Sequence, residues 1–206
     1  PEGDETVQRV TKNTVAPIVI SLTNKVIDMA FAMLMLRILG PSDAGQYYLA
    51  IVVISWFDIF TNFGLNTLVT REVAKDRERA NRYLSNTIAL RVGLWGVAVP
   101  LLGLFFLLSY LTKPLEPATI LAISLFGVAL LPSNVAASFT AVFNGYERME
   151  IPASVTTVTT LLKVTLGTIA LVIGGGFVGL AAVSIIVNIA TMIVLYQLLR
   201  STLFRP

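Results

Sequence analysis

The sequence predicts an all-α integral membrane protein, a bundle of six transmembrane helices with both termini in the cytoplasm. The 206 residues are 55% hydrophobic and 13% charged, with a mean hydropathy of +0.79, whereas a soluble domain carries roughly 25% charged residues. Six apolar runs each approach or exceed the ~20 residues that a membrane-spanning helix needs. Lys and Arg cluster at one set of run ends, as they do in cytoplasmic loops.

The predicted elements follow one another with short interruptions. A cytoplasmic segment, residues 1–13, precedes a membrane lobe, residues 14–199, and a cytoplasmic tail, residues 200–206, follows it. The predicted spans cover residues 14–39, 47–70, 84–110, 118–143, 153–173 and 178–199. Most gaps between them contain Gly or Pro, which cap or break helices, and the stretch 71–82 is charged without apolar periodicity. Helices satisfy their own backbone hydrogen bonds in lipid, so they are the predicted element throughout.

The basic residues orient the bundle. The cations on one side are Arg9, Lys12, Arg71, Lys75, Arg77, Arg79, Arg82, Arg148, Arg200 and Arg205. The loops of the other side contain only Lys113. Cytoplasmic loops carry the excess of Lys and Arg, so this bias places both termini in the cytoplasm of a multi-pass inner-membrane protein.

Four ionisable residues fall near the middle of predicted spans: Lys25, Asp28, Asp58 and Lys163. A helix rises about 1.5 Å per residue, which places them about 15 Å from an interface. A charge there costs about 3 kcal/mol or more in lipid, so these side chains are expected to face protein or water.

Helical spacing indicates polar faces that include these charges. The face of the first span comprises Ser21, Asn24, Lys25 and Asp28. The face of the fifth span comprises Thr156, Thr159, Thr160, Lys163 and Gly167, and that of the second comprises Asp58 and Asn62. Residues separated by three, four and seven positions share one side of a helix. The three polar faces therefore predict a hydrated cavity, and their residues are expected to line a substrate or ion path.

Two interpretations of the charges remain open. Lys25 with Asp28, and Asp58 with Lys163, can instead form internal ion pairs that only hold the bundle together. Arg37 and Arg91 lie nearer to span ends and can extend to an interface, and Arg91 is also a candidate for the path. Pro100 and Pro132 interrupt spans three and four, either as hinges or as fixed bends.

Several chemistries are excluded or disfavoured. The chain has no Cys and no His, which removes the usual nucleophile–base pairs and metal ligands. We expect no enzyme, no metal, no cofactor and no nucleic-acid partner. The basic stretch 71–82 is either a solvated loop that sets topology or a contact for anionic headgroups or a cytoplasmic partner.

Four stretches, residues 37–48, 60–66, 70–75 and 143–149, resemble the amino-terminal lobe of O-antigen-type polysaccharide flippases. These transporters share a superfamily with multidrug exporters and the lipid II flippase. The matching positions, expected to be mainly structural, are Arg37, Gly40, Gly45, Tyr47, Gly64, Leu65, Arg71, Glu72, Asn144, Gly145, Glu147 and Arg148.

The resemblance implies a transporter that flips lipid-linked oligosaccharide across the cytoplasmic membrane. Such transporters have two lobes, whereas six spans make one. The expected partners are therefore membrane lipids and a lipid-linked glycan, with a second lobe, a second copy or other membrane subunits. The alternative is a flippase lobe reused as a non-transporting subunit of a larger membrane complex.

Overall fold

A computed structural model describes the backbone of residues 2–202 and the side chains of residues 18–202. Residues 203–206 of the predicted tail, and the side chains of Arg9 and Lys12, lie outside these limits. The described helices are α1 (Glu2–Asn62), α2 (Leu65–Lys75), α3 (Ala80–Thr112), α4 (Pro117–Gly145), α5 (Glu150–Val172) and α6 (Gly176–Thr202). Residues 2–202 contain no strand, so the all-α prediction is confirmed.

Five helical segments are long and apolar enough to cross a membrane by length and composition: residues 18–75, 80–112, 117–145, 150–172 and 176–202. The first of these contains a sharp kink at Gly40, whose φ of 74° and ψ of 176° are not helical. Glycine adopts this backbone conformation without a Cβ clash. We refer to residues 2–39 as the N-terminal half of α1 and to residues 41–62 as its C-terminal half.

Helix α2 is a short amphipathic helix that corrects the prediction for residues 65–75. The break before it lies at Phe63 and Gly64, whose φ values are 28° and 75°. Leu65, Val69 and Val73 recur every four residues and are buried. The prediction that residues 71–82 lack apolar periodicity is therefore wrong for the end of α2. Val73 continues the apolar face of Leu65 and Val69, and those two residues lie inside the predicted second span.

Helix α4 lies at the centre of the bundle and contributes to two buried clusters. One cluster joins its C-terminal part, including Phe139 and Phe143, to Val73 of α2 and Leu199 of α6. The other joins the N-terminal part of α4 to the C-terminal half of α1 and to α6. Large apolar side chains cover the outside of α1 and α3, and such a surface suits lipid rather than water.

Candidate functional site

The N-terminal half of α1 packs against α5 with the two helices running in the same direction. Asn24 Nδ2 donates to Thr157 Oγ1 at 3.3 Å, and the Lys163 ammonium lies 2.5 Å from an Asp28 carboxylate oxygen. One turn further along both helices, Phe31 contacts Gly167. Residue numbers rise together along both helices, which makes the helices parallel. The same contacts join residues of the two predicted polar faces, so the polar faces of spans one and five meet each other.

Gly167 permits this close approach. A Cβ atom at this position would lie 2.7 Å from Phe31 Cζ and 3.3 Å from Leu180 Cδ2, and carbon atoms pack at about 3.5–4.0 Å. Any larger residue must therefore move the Phe31 ring or separate the helices. Helical spacing places Gly167 on the polar face of the fifth span, and the structure gives it a packing role there.

The two polar faces line a groove of about 300 Å³, which we call the Asp28–Lys163 groove. Its polar lining residues are Ser21, Asn24, Lys25, Asp28, Thr156 and Thr160. The Asp28 and Lys163 side chains are 44% and 43% exposed, so their ion pair is open to whatever fills the groove. Lys25 is exposed and forms no ion pair among residues 18–202. Lys163 does not line the groove itself, but its ammonium contacts the lining residue Asp28, so the three charges leave one net positive charge beside the groove.

The pairing differs from the two pairs considered in the sequence analysis. Asp28 pairs with Lys163 of α5 rather than with Lys25 of its own helix, and Lys163 therefore does not pair with Asp58. The packing of α1 on α5 places Lys163 directly opposite Asp28. Asp58 belongs to the other half of α1, which packs on α4.

Asp58 lies between two further grooves. One groove, about 310 Å³, lies among α1, α4 and α6, and its polar lining residues are Ser55, Asp58, Ser133, Ser184 and Asn188. The other, about 520 Å³, lies at the break between α1 and α2 and includes Asn62, Asn66 and Thr67. We call them the Asp58 groove and the Asn62–Asn66 groove. Asp58 forms no ion pair within the described side chains.

Arg91 is the largest fully buried side chain among residues 18–202 and does not extend to an interface. It is 1% exposed. Its Nη2 donates to Asn62 Oδ1 at 3.0 Å and to Asn66 Oδ1 at 2.6 Å, and its Nη1 donates to the backbone carbonyl of Asn134. The expectation that Arg91 extends to an interface is wrong, because these acceptors hold it inside the lobe, where it connects α3 with α1, α2 and α4.

Asn134 extends this buried network. Its Nδ2 donates to Thr61 Oγ1 at 3.0 Å, and the Thr61 hydroxyl donates to the Phe57 carbonyl at 3.0 Å. Sequence reasoning missed Asn134, Thr61 and Asn66. The available signal was an Asn in the middle of the apolar fourth span, two residues after Pro132, where a buried amide needs partners.

Pro132 and Pro100 lie within continuous helices α4 and α3. Side chains from neighbouring helices bind α4 carbonyls shortly before Pro132. Trp95 Nε1 donates to Gly127 O at 2.9 Å, and Asn188 Nδ2 donates to Ala129 O at 3.2 Å. These donors connect α4 to α3 and α6 next to Pro132, and a hinge role for either proline stays a prediction.

Several family-motif positions lie at breaks and close contacts. Gly40 and Gly64 have φ values of 74° and 75° at the two breaks around the C-terminal half of α1. A Cβ at Gly145 would lie 2.8 Å from Val73 Cβ and 3.0 Å from the Thr70 carbonyl, so Gly145 allows α2 to pack on α4. Glu147 has a φ of 62° in the turn after α4.

The polar and charged motif positions lie mostly at the surface. Glu72 accepts from Lys75 at 2.8 Å, whereas Arg37, Arg71 and Arg148 are exposed and Asn144 is partly buried. Gly45 has open space around it, and nothing in the structure explains a glycine there. Within residues 18–202, no three acidic side chains come together as metal ligands.

Comparison with known proteins places this arrangement in a family. Among curated proteins and solved structures, none matches the chain significantly. The sequence model of a family described as polysaccharide biosynthesis protein matches residues 10–206. That range covers all described helices except the start of α1. The chain therefore belongs to the polysaccharide biosynthesis protein family and is a multi-pass, helical membrane protein.

Proposed function

We propose that this chain is a six-span lobe of a transporter that flips lipid-linked oligosaccharide across the cytoplasmic membrane. The observation that carries the proposal is the Asp28–Lys163 groove, beside which an ion pair remains exposed within predicted spans, together with Lys25, which forms no ion pair among residues 18–202. An exposed charge inside a membrane costs about 3 kcal/mol or more in lipid. The groove therefore faces water, a ligand or another protein surface.

Helix directions support six crossings. The N-terminal half of α1 runs parallel to α5 through the Asp28–Lys163 and Phe31–Gly167 contacts. Its C-terminal half runs parallel to α4, since Thr61 contacts Asn134 and Tyr47 contacts Phe126. Helices α4 and α5 are joined by a turn of four residues, 146–149, and run in opposite directions through their contacts with α6. The two halves of α1 are thus antiparallel and provide one crossing each.

The charge distribution supports a cytoplasmic location for both termini. In this topology four parts of the chain share one side of the membrane: the N-terminus of α1, the amphipathic α2 with residues 76–79, the α4–α5 turn and the end of α6. That side holds ten of the basic residues, and the opposite loops hold Lys113 alone. An amphipathic helix with Arg71 and Lys75 on its exposed face suits the headgroup region of the cytoplasmic leaflet.

The groove's charge suits an anionic ligand. Lys25 and Lys163 against Asp28 leave one net positive charge, and a lipid-linked glycan carried on a diphosphate is anionic. In the proposed mechanism, Lys25 contacts phosphate directly. Asp28 holds Lys163 in place through a charge-assisted hydrogen bond, which is stronger than a bond between neutral groups. Phosphate is also an ionised acceptor and therefore competes with Asp28 for Lys163.

A single lobe does not provide both walls of an alternating-access path. We propose that a second lobe, a second copy or another membrane subunit covers the exposed groove. The alternative function, a non-transporting subunit of a membrane complex, requires the charges to be buried in mutual pairs. Asp28 and Lys163 are paired but more than 40% exposed, and Lys25 and Asp58 have no ion-pair partner in the described residues, which favours the transporter.

Two measurements test the proposal. Native mass spectrometry of the solubilised particle distinguishes a two-lobe or homodimeric assembly from one with unrelated subunits. Flipping is then measured in proteoliposomes with a fluorescent polyprenyl-diphosphate disaccharide and an external quencher. We expect Lys163→Ala to abolish flipping, with Lys113→Ala, a loop cation, as the matched control. Unrelated stoichiometric subunits together with wild-type vesicles that do not flip the probe would reject transport and favour the structural subunit.

A further inference from the structure

The Asn62–Asn66 groove supports a second proposal about ligand binding, and this proposal rests on the proposed function. It lies at the break between α1 and α2 and has a volume of about 520 Å³. It is separate from the Asp28–Lys163 groove, since it is lined by the C-terminal half of α1 and the start of α2. We propose that this groove is a sugar-binding subsite, which holds a neutral pyranose ring of the glycan.

Arg91 fixes which way the two amides point. A guanidinium group only donates hydrogen bonds, and Arg91 Nη2 lies 3.0 Å from Asn62 Oδ1 and 2.6 Å from Asn66 Oδ1. Both amide oxygens are therefore turned toward Arg91, behind the groove. Both residues also line the groove, and neither Nδ2 donates to a protein group among residues 18–202. The buried arginine thus presents two amide donors to a ligand.

The same groove offers acceptors but no cation. The Asp58 carboxylate lines it without an ion-pair partner in the described residues, and the Thr67 hydroxyl can donate or accept. No Lys or Arg is among the lining residues. Arg91 lies behind the two amides and is 1% exposed, so it offsets the charge of Asp58 without reaching a ligand. A phosphate would meet the carboxylate and no lining cation, so the anionic part of a lipid-linked glycan belongs elsewhere.

A metal or alkali cation fits the groove poorly. Hard cations need several oxygen ligands, whereas here the two amide oxygens are already engaged by Arg91 and their donor nitrogens face the ligand. Among the lining side chains, one carboxylate and one hydroxyl remain as oxygen ligands. Mixed donors and acceptors around an uncharged centre suit a ligand whose hydroxyls both donate and accept, which is the chemistry of a sugar.

Phe63 supplies an apolar wall. Its side chain is 84% exposed, and its backbone φ of 28° is rare for a bulky residue. Such strained positions concentrate at ligand sites. Here the ring borders a polar groove, where its flat face can cover the C–H side of a pyranose while Asn62, Asn66, Thr67 and Asp58 bind the hydroxyls.

Sugar binding is measured on the full protein in nanodiscs by saturation-transfer NMR with free glucose, galactose and N-acetylglucosamine as probes. We expect Thr67→Ala to weaken the best monosaccharide about fivefold, as the loss of one hydrogen bond does. Phe63→Leu should weaken it to a similar degree, about fivefold, and reduce transfer to the ring C–H protons. The matched controls are Thr112→Ala and Phe60→Leu, which change the same residue types outside the groove. Both controls should bind as the wild type does.

Unchanged binding in both groove variants, or no binding by the wild type, overturns the subsite. Asp58→Asn should also weaken binding, because the carboxylate accepts from a sugar hydroxyl in the proposed site. Flipping of the fluorescent disaccharide lipid separates this inference from the proposed function. Wild-type flipping with an unchanged KM in Phe63→Leu and Thr67→Ala rejects the subsite and leaves transport intact. Sugar binding that depends on these residues, in a protein that flips nothing, keeps the subsite and rejects transport.

Discussion

Replacement of Gly167 by alanine tests the packing that brings the polar faces of α1 and α5 together. The added Cβ would lie 2.7 Å from Phe31 Cζ, about 1 Å closer than an ordinary carbon contact. Phe31 is only 9% exposed, so its ring has little room to retreat. Overpacking of this kind costs about 1–3 kcal/mol, while alanine gains about 1 kcal/mol over glycine in a helix.

The net loss in the free energy of unfolding is therefore up to about 2 kcal/mol. The control is Gly93→Ala on α3, where a Cβ meets open space and only the gain of about 1 kcal/mol remains. The two variants should differ by about 1–3 kcal/mol. Phe31→Leu removes the Cζ atom, so the double variant should recover stability with a coupling of at least about 1 kcal/mol.

Denaturant titration in mixed micelles measures these free energies, and flipping of the fluorescent lipid provides a second readout. Separation of α1 from α5 would also stretch the Asp28–Lys163 contact, so Gly167→Ala should lower the flipping rate. The reasoning is refuted if Gly167→Ala stabilises the protein as much as Gly93→Ala does. Coupling with Phe31 below about 0.5 kcal/mol would be equally damaging, since independent sites add within that range.

Three further predictions concern buried and paired groups. Arg91→Met should destabilise the lobe by about 2–4 kcal/mol because it leaves buried amide acceptors unpaired. Arg91→Lys should recover little of this stability, because an ammonium group does not reproduce the planar guanidinium fork. Thermal unfolding followed by fluorescence-detected size exclusion measures both variants. Gly145→Ala should cost about 1–3 kcal/mol, because the new Cβ meets both Val73 and a backbone carbonyl, and protease accessibility of α2 should rise. Asp28→Ala and Lys163→Ala should each fold normally in a flipping-deficient protein, whereas loss of folding in both, with rescue in the double variant, would show that the pair serves only stability.

The sequence was sufficient to predict the polar faces but not which charges pair. Periodicity assigns Lys25, Asp28 and Lys163 to helix faces, and the structure does bring these faces together. The choice between Lys25 and Lys163 as the partner of Asp28 depends on the register between α1 and α5. The Phe31–Gly167 contact and the Asn24–Thr157 hydrogen bond belong to one such register, and spacing within a single helix contains no information about it.

The second break and helix α2 escaped prediction for a different reason. Residues 47–70 are apolar enough to suggest one continuous span, yet Phe63 and Gly64 leave the helical conformation. Two Asn residues flank this break, and both bind Arg91, which lies 25 residues or more away in sequence. A break held by so distant a partner produces no local signal except Gly64 itself.

Exposure separates two groups of polar residues that look alike in the sequence. Arg91, Asn134 and Thr61 are at most 4% exposed and are connected by hydrogen bonds, as a structural network in a membrane interior must be. Asp28 and Lys163, at similar depth in their spans, remain more than 40% exposed. Folding alone explains polar groups that are buried and hydrogen-bonded to one another. A charge that stays exposed within a membrane-embedded lobe requires a ligand, water or a partner surface. Function is therefore to be sought where the polar groups are left open, along the grooves that both halves of α1 line.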